Sequence, residues 1–532
     1  MTEKPPLSQL GIALVESLQR IEAYEKATND RRERNTIHVQ TVGSTLSTAY
    51  EQLRNASEYA EDELLQQRAI RRYLKRELSF HVKVPTAQLA NELVTELTQA
   101  EYLENDHVTQ ADIKALEKHI TLYYDAYWKF ADEEQRPARR QILQKWILDV
   151  LAVRCEQVLR SHIRQLMFAH FAFSYLQDKM PAKKLRRKNE KIPTADFPIV
   201  LYTAIHRAIL KSDTMTIRAA LLDSYQIPVD DITRFYDFNK KLDTLFSANT
   251  TVFTARAVSK NGAALRFIYT SFFADNAPLT GKDLKTTSTL DLGLRKHIEQ
   301  EYIALDKRLD KGIMRSIIFL LITKSIVGIG IEIPYDFLIY GSIIWVPLLL
   351  NLFFPSIFIA FTRLTLTTPS VRNTSALINQ VTAMLYQDNQ PQAYPVRITK
   401  DSSSTSFNIA YLFMFMLVFA GLVYILSLLH FNIVQGAIFF VFLSTASFLA
   451  FRLSRQIHEL EVVHAAQNSL SVFRDIIYMP FIYVGQQISY RYSQVNIIAN
   501  ALDILIELPL KTILRLVRQW VQFLNAKKDE LL

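Results

Sequence analysis

IMRSIIFLLITKSIVGIGIEIPYDFLIYGSIIWVPLLLNLFFPSIFIAF, residues 313–361, and FNIAYLFMFMLVFAGLVYILSLLHFNIVQGAIFFVFLSTASFLAF, residues 407–451, decide the class of this chain. Each block is roughly twice the length one helix needs to cross a bilayer. Each breaks weakly near its middle, at EIPYD (332–336) and at HFNIVQ (430–435). The reading is two helical hairpins and four crossings, because apolar runs of this length are a membrane signal. The fold class expected is all-α: a polytopic membrane protein with a large N-terminal helical cytoplasmic region and a C-terminal amphipathic helix.

Charges beside the blocks set an orientation. Lys307, Arg308, Lys311 and Arg315 precede the first crossing, and Arg363 and Arg372 follow the second. Arg397 and Lys400 precede the third, and Arg452 and Arg455 follow the fourth. The two breaks hold Glu332, Asp336 and His430 and no Lys or Arg. The positive-inside rule then puts both termini and the 364–406 loop in the cytoplasm and both tips outside. A three-crossing arrangement would put a basic cluster outside. The N-terminus is not read as a secretory signal: its apolar run is short and acidic residues flank it. The expected location is the bacterial cytoplasmic membrane.

Composition fits long helices. Only 12 of 532 residues are glycine, well under the ~7% average, which leaves little material for tight turns or phosphate loops. Mean hydropathy of +0.05 averages apolar blocks with a polar remainder. The net charge of +9 suits an anionic membrane surface or nucleic acid. Cys155 stands alone, which excludes an internal disulfide framework and a thiolate zinc cluster; its surroundings, ILDVLAVRCEQVL, read as core.

Residues 1–180 read as a helical domain. Thr86 is expected to cap QLANELVTEL, and Thr109 with Asp112 makes a capping-box pair before IKALEKHITLYY. The aromatic runs at 123–130 and 168–175 are expected to pack a core. Residues 181–193, PAKKLRRKNEKIP, form a basic linker with six basic residues against one acidic. Lys183, Lys184, Arg186, Arg187 and Lys188 are the candidate anionic-lipid contacts there, each worth roughly 1 kcal/mol near a charged surface. A solvated charge run is the plainer account, and no nucleic-acid-binding motif accompanies it. Residues 194–287 form a second helical subdomain, with Asp230 and Asp231 after Pro228 starting a helix. A charged stalk helix, 288–312, should run straight into the first crossing. The transmembrane hairpins are then 313–363 and 407–451, joined by the cytoplasmic loop 364–406. The loop holds a helix candidate, NTSALINQVTAMLYQ, and Ser and Thr residues before Phe407 that can cap the third crossing.

The C-terminal region, 452–532, continues helical. Within it, 493–526 carries Asn496, Asn500, Asp503, Glu507, Lys511, Arg515, Arg518 and Gln522 at steps of three or four, with Pro509 as a kink. A narrow polar stripe on an apolar helix suits the membrane interface or a bundle.

Lys324 is the ionisable residue that stands deep inside a crossing. It serves as an intramembrane site, ion or proton, or as a paired charge in the bundle; alternatively its stem snorkels to an interface. No acidic partner is placed inside another crossing, and Asn351, Ser444, Thr445 and Ser447 are the polar groups expected to reach it. Glycines at 328, 330, 421 and 436, with the prolines at 347 and 355, read as close-packing or kink positions. His458, Glu459, Glu461 and His464 form H-E-x-E-x-x-H, which lacks the zinc spacing of HExxH. No metal, cofactor or enzyme motif is expected.

KGIMRS before the first crossing, PSVRNT after the second and IELPLKTILRLVRQW near the end resemble uncharacterised bacterial multi-pass membrane proteins of candidate-phylum type, over roughly residues 290–528. The resemblance implies no activity. The function expected is an integral membrane scaffold or docking protein, in contact with anionic lipid and a protein partner on its cytoplasmic domains. The alternative is a small-ion or proton transporter or channel. Self-association is compatible with either.

Overall fold

The protein is seen in a computed structural model that describes residues 6–32, 36–39, 48, 51, 62–185, 190, 192–366, 368–386, 405–462, 469–494 and six scattered positions in 513–527. The described chain is helical, without a named strand. It forms two compact units, one built on Gln9–Val258 with Phe272–Ala277, the other on Ser259–Ser271 with Pro278–Val495.

In the first unit, α1 (Asp62–Glu77), α2 (Gln110–Glu133) and α3 (Pro137–Leu159) pack with α4 (Thr214–Ser224) and α5 (Ile232–Ser247). The Thr109–Asp112 capping box opens α2 as expected, and Asp231 caps α5 through the Arg234 N–H at 3.1 Å. Thr86 caps nothing: the helix there begins at Leu89, and the Thr86 hydroxyl meets Thr121 instead. The 123–130 aromatics do pack a core. Tyr124 and Tyr127 set their rings edge-on to Phe80, and Cys155 is fully buried beside them. That core draws on both sides of 181–193, since Met215, Phe235 and Tyr236 join it. Within it Arg218 is nearly sealed from solvent. Its guanidinium donates to Asn239 Oδ1 at 2.7 Å and to Asp243, and lies over the Trp146 ring. Burial of this cation is offset by the bonds its two terminal nitrogens make and by the rings its planar face meets, while its Nε–H is buried without a partner.

The second unit starts with the stalk. α6 (Thr287–Val327) is one helix, as the charged stretch running into the first apolar block requires. A π-helical turn, Gly328–Glu332, and α7 (Ile333–Tyr340) continue it without a break. The turn comes at Gly341, which takes φ +68°, a left-handed conformation that suits glycine. The first break therefore lies after 340, and not at EIPYD. Pro334 does not end the helix: it follows directly on the π turn, and the winding runs through it to Tyr340. α8 (Trp345–Thr365) returns, and α9 (Val371–Leu385) fills the helix candidate of the loop. α10 (Thr405–Leu428) and α11 (Ile433–His458) follow, turning at the second expected break. Among the described residues, four helices are long and apolar enough to cross a membrane: Thr287–Tyr340, Trp345–Arg363, Ile409–Leu428 and Ile433–His458.

Helical spacing sorts the first of them into two faces. Ile318, Ile322, Ile326 and Ile329 are exposed, while Ile313, Leu320 and Lys324 are buried. At the stalk end of the apolar region, Arg363 on α8 donates to Asp306 at 2.7 Å and Asp310 at 2.6 Å on α6. Asn373 on α9 holds the end of α11: it donates to the Leu460 carbonyl at 3.0 Å and accepts from Val462 N–H at 2.7 Å.

α12 (Ser469–Gln494) turns back along α11. Its Gly485 rests on the α11 backbone, where a Cβ would collide with the Ser444 carbonyl and the Phe448 side chain. Gly485 is about as far from the start of α12 as Ser444 is from the end of α11, so the two helices are antiparallel. The glycines singled out from sequence are looser. A Cβ at Gly328 would make ordinary contact with Leu348 at 3.8 Å, and at Gly330 and Gly421 it would meet open space.

The 493–526 polar stripe, Arg186, Arg187, Lys188, His464 and most of the Ser/Thr cluster before Phe407 lie outside the described residues.

Candidate functional site

Lys324 is 2% exposed, sealed among its neighbouring side chains. Its ammonium donates to Glu332 Oε1 at 2.6 Å and lies over the Phe442 ring at 4.7 Å. No acidic residue was expected in the middle of another crossing, and the acid that Lys324 meets does not come from another crossing. The partner is on the same continuous helix, in the stretch read as an outer tip. The π turn brings them together. An α turn takes 3.6 residues and an i→i+5 turn almost one more, so one of each spans about eight residues. Lys324 and Glu332 therefore share the inward face.

From Glu332 the hydrogen bonds cross to two other helices. Asn351 of α8 donates to Glu332 Oε2 at 3.2 Å and to the Gln435 carbonyl of α11 at 3.1 Å. Gln435 donates through Nε2 to Asp336 Oδ2 at 2.8 Å, and Asn432 donates to Asp336 Oδ1 at 3.0 Å. The Ile344 N–H adds a longer contact to the same carboxylate at 3.4 Å. Lys324, Glu332, Asp336, Asn351 and Gln435 are all buried.

The amide orientations are fixed by groups that can only donate. Gln435 Oε1 accepts from the Asn432 N–H at 3.2 Å, and Asn432 Oδ1 accepts from the Gln435 N–H at 2.8 Å. This capping box turns both NH₂ ends toward Asp336. Asp336 thus accepts from donors on α11 and the start of α8, as a carboxylate does. Asn432 caps α11 and Ile344 caps α8, so Asp336 lies at two helix N-termini, each equivalent to about half a positive charge. With Lys324 set against Glu332, the charges of the network close to near neutrality. The interior remains imperfectly satisfied: Asn351 Oδ1 and the Ser356, Ser444 and Ser447 hydroxyls are buried without a hydrogen-bond partner.

Of the polar groups expected near Lys324, Asn351 enters the network through Glu332. Thr445 turns its hydroxyl back to Val441. Glu332, Asp336, Asn432 and Gln435 were not read as an intramembrane site. Their signal was the polar content of the two breaks, which marked turns equally well. Elsewhere, Lys183 and Lys184 are exposed on a single helical turn, Ala182–Leu185. His458 pairs with Glu461 at 2.9 Å, at the exposed end of α11. Comparison with protein-family models, with curated proteins and with solved structures finds no match for this chain.

Proposed function

We propose that this chain is an integral membrane platform. Its helical unit docks a protein partner on the cytoplasmic side, and its membrane unit, two helical hairpins, is stapled by the Lys324–Glu332–Asn351–Gln435–Asp336 network. The observation that carries the reading is the way charge is spent inside that network. The cation faces a carboxylate, the second carboxylate faces two helix N-termini, and the bonds tie α6, α7, α8 and α11 together. Such a site fixes one arrangement of helices, the best-attested use of buried polar groups. The basic flanks put the N-terminal region and the 364–406 loop in the cytoplasm. Lys183, Lys184 and the basic residues after them supply contact with anionic headgroups.

The test is proximity labelling from the full-length chain in its membrane, against a chain lacking residues 1–258. Specific neighbours lost with the deletion support a platform; the same neighbours with and without it overturn the reading.

A second reading, a small-ion or proton transporter, draws support from the unpartnered Asn351 Oδ1 and the three buried serine hydroxyls. Intramembrane ionisable groups are functional candidates by default. The double variant Lys324→Met/Glu332→Gln separates the two. It keeps partner capture in a platform, and it abolishes proton or cation flux into vesicles in a transporter.

A further inference from the structure

α12 carries a feature that neither reading uses. Gly485 fixes its depth: it packs against Ser444, near the middle of α11. α11 is one of the four candidate spans, so the residues after Gly485 lie near the middle of the apolar layer. Those residues are Gln486 and Gln487, and both are exposed. They continue a face formed by Ile476, Met479 and Tyr483, exposed by 36%, 44% and 53%, at helical steps of three and four. Behind that face α12 is anchored: Phe481 packs between the rings of Phe419 and Phe440, and Tyr478 packs edge-on to Phe358. The helix cannot rotate the glutamines inward without giving up those contacts and the Gly485 approach.

A primary amide turned toward hydrocarbon is costly, because nothing there replaces its bonds to water. Glutamine is also both donor and acceptor, so two of them satisfy each other. Copies of one chain insert with the same orientation, and a two-fold axis along the membrane normal sets each residue against its counterpart at the same depth. We infer that the Ile476–Met479–Tyr483–Gln486–Gln487 face of α12 is a self-association surface, on which a second copy of this chain packs with an amide–amide bridge at its centre. Interhelical glutamine hydrogen bonds of this kind drive association in membranes.

The experiment uses full-length chain, labelled separately with donor and acceptor fluorophores and reconstituted into phosphatidylcholine vesicles over a range of protein-to-lipid ratios. Energy transfer that rises with ratio, and a Gln486→Leu/Gln487→Leu variant that associates roughly tenfold more weakly, are expected. The leucines favour insertion, and a Gln486→Asn/Gln487→Asn variant, which keeps the amides, should retain most of the association. A monomeric wild type, or a leucine variant that associates as the wild type does, overturns the proposal. Oxidative cross-linking of Tyr483→Cys gives a second reading. Linked pairs of chains are expected. A cysteine at 483 that cross-links only within its own chain, to a cysteine placed in 496–528, assigns the face to an internal cover and also overturns it.

Discussion

At the residue scale, the informative positions are groups that burial forces into one state. Lys324 and Glu332 are each nearly sealed and depend on each other. Removing one member of such a pair strands a buried charge and costs about 3–5 kcal/mol, whereas replacing both by neutral groups of similar volume is often harmless. Lys324→Leu should therefore lower thermal stability markedly in detergent, and Lys324→Met/Glu332→Gln should recover most of it. A harmless single variant would contradict the pairing. His206 makes the same argument in the helical unit. Burial, with His170 adding to it, pushes its pKa from 6.5 down to about 3, and its Nε2 has no hydrogen-bond partner. The native chain keeps this ring neutral while the unfolded chain protonates it near 6.5. Its contribution to stability is thus complete above 6.5 and is lost as the pH falls from 6.5 toward 3. Denaturant unfolding at pH 7 and pH 4.5 should differ by roughly 2–3 kcal/mol from this group, and His206→Phe should shrink the difference. A pH-independent stability in the wild type would refute the assignment.

At the element scale, winding and close approach decide what the helices do. The Lys324–Glu332 pair exists because a π turn interrupts an otherwise regular helix. Polar residues inside an apolar stretch were legible in the sequence; the change of winding that aligns them was not, because periodicity assumes one residue count per turn. EIPYD was read as a turn on sound local grounds, since proline and two acids usually mark one. Tertiary contacts overrode that preference by supplying partners for both acids. Gly485 is the reverse case. Nothing in the sequence separated it from the other glycines, yet it alone among those at 421, 436 and 485 meets another helix's backbone. Gly485→Ala should push α12 off α11, costing about 1–3 kcal/mol by overpacking. The expected signature is a lower melting temperature together with faster protease cleavage within 459–494. Unchanged melting would mean the approach is not tight.

At the scale of the whole molecule, two turns, 341–344 and 429–432, lie at the same end of the apolar helices. Asp336 reaches Asn432 across them. Cysteines introduced for exposed Ser342 and His430 should label together from one side of the membrane, the outside if the positive-inside reading holds. Native Cys155 will stay silent in the folded protein, since burial pushes its thiol up to about 12. Labelling of the two positions from opposite sides would exclude the arrangement.

The sequence by itself determined the helical class, the four apolar helices, the unbroken stalk and the second turn. Each follows from composition and spacing along a single segment, which local physics fixes. The tertiary structure alone decided where the first turn falls, which carboxylate meets Lys324, how Asp336 is neutralised by two helix ends, and which glycine is indispensable. Those depend on helix winding and on groups brought together from distant segments. A buried charge chooses its partner by distance in space, and that distance is not written in the order of the residues.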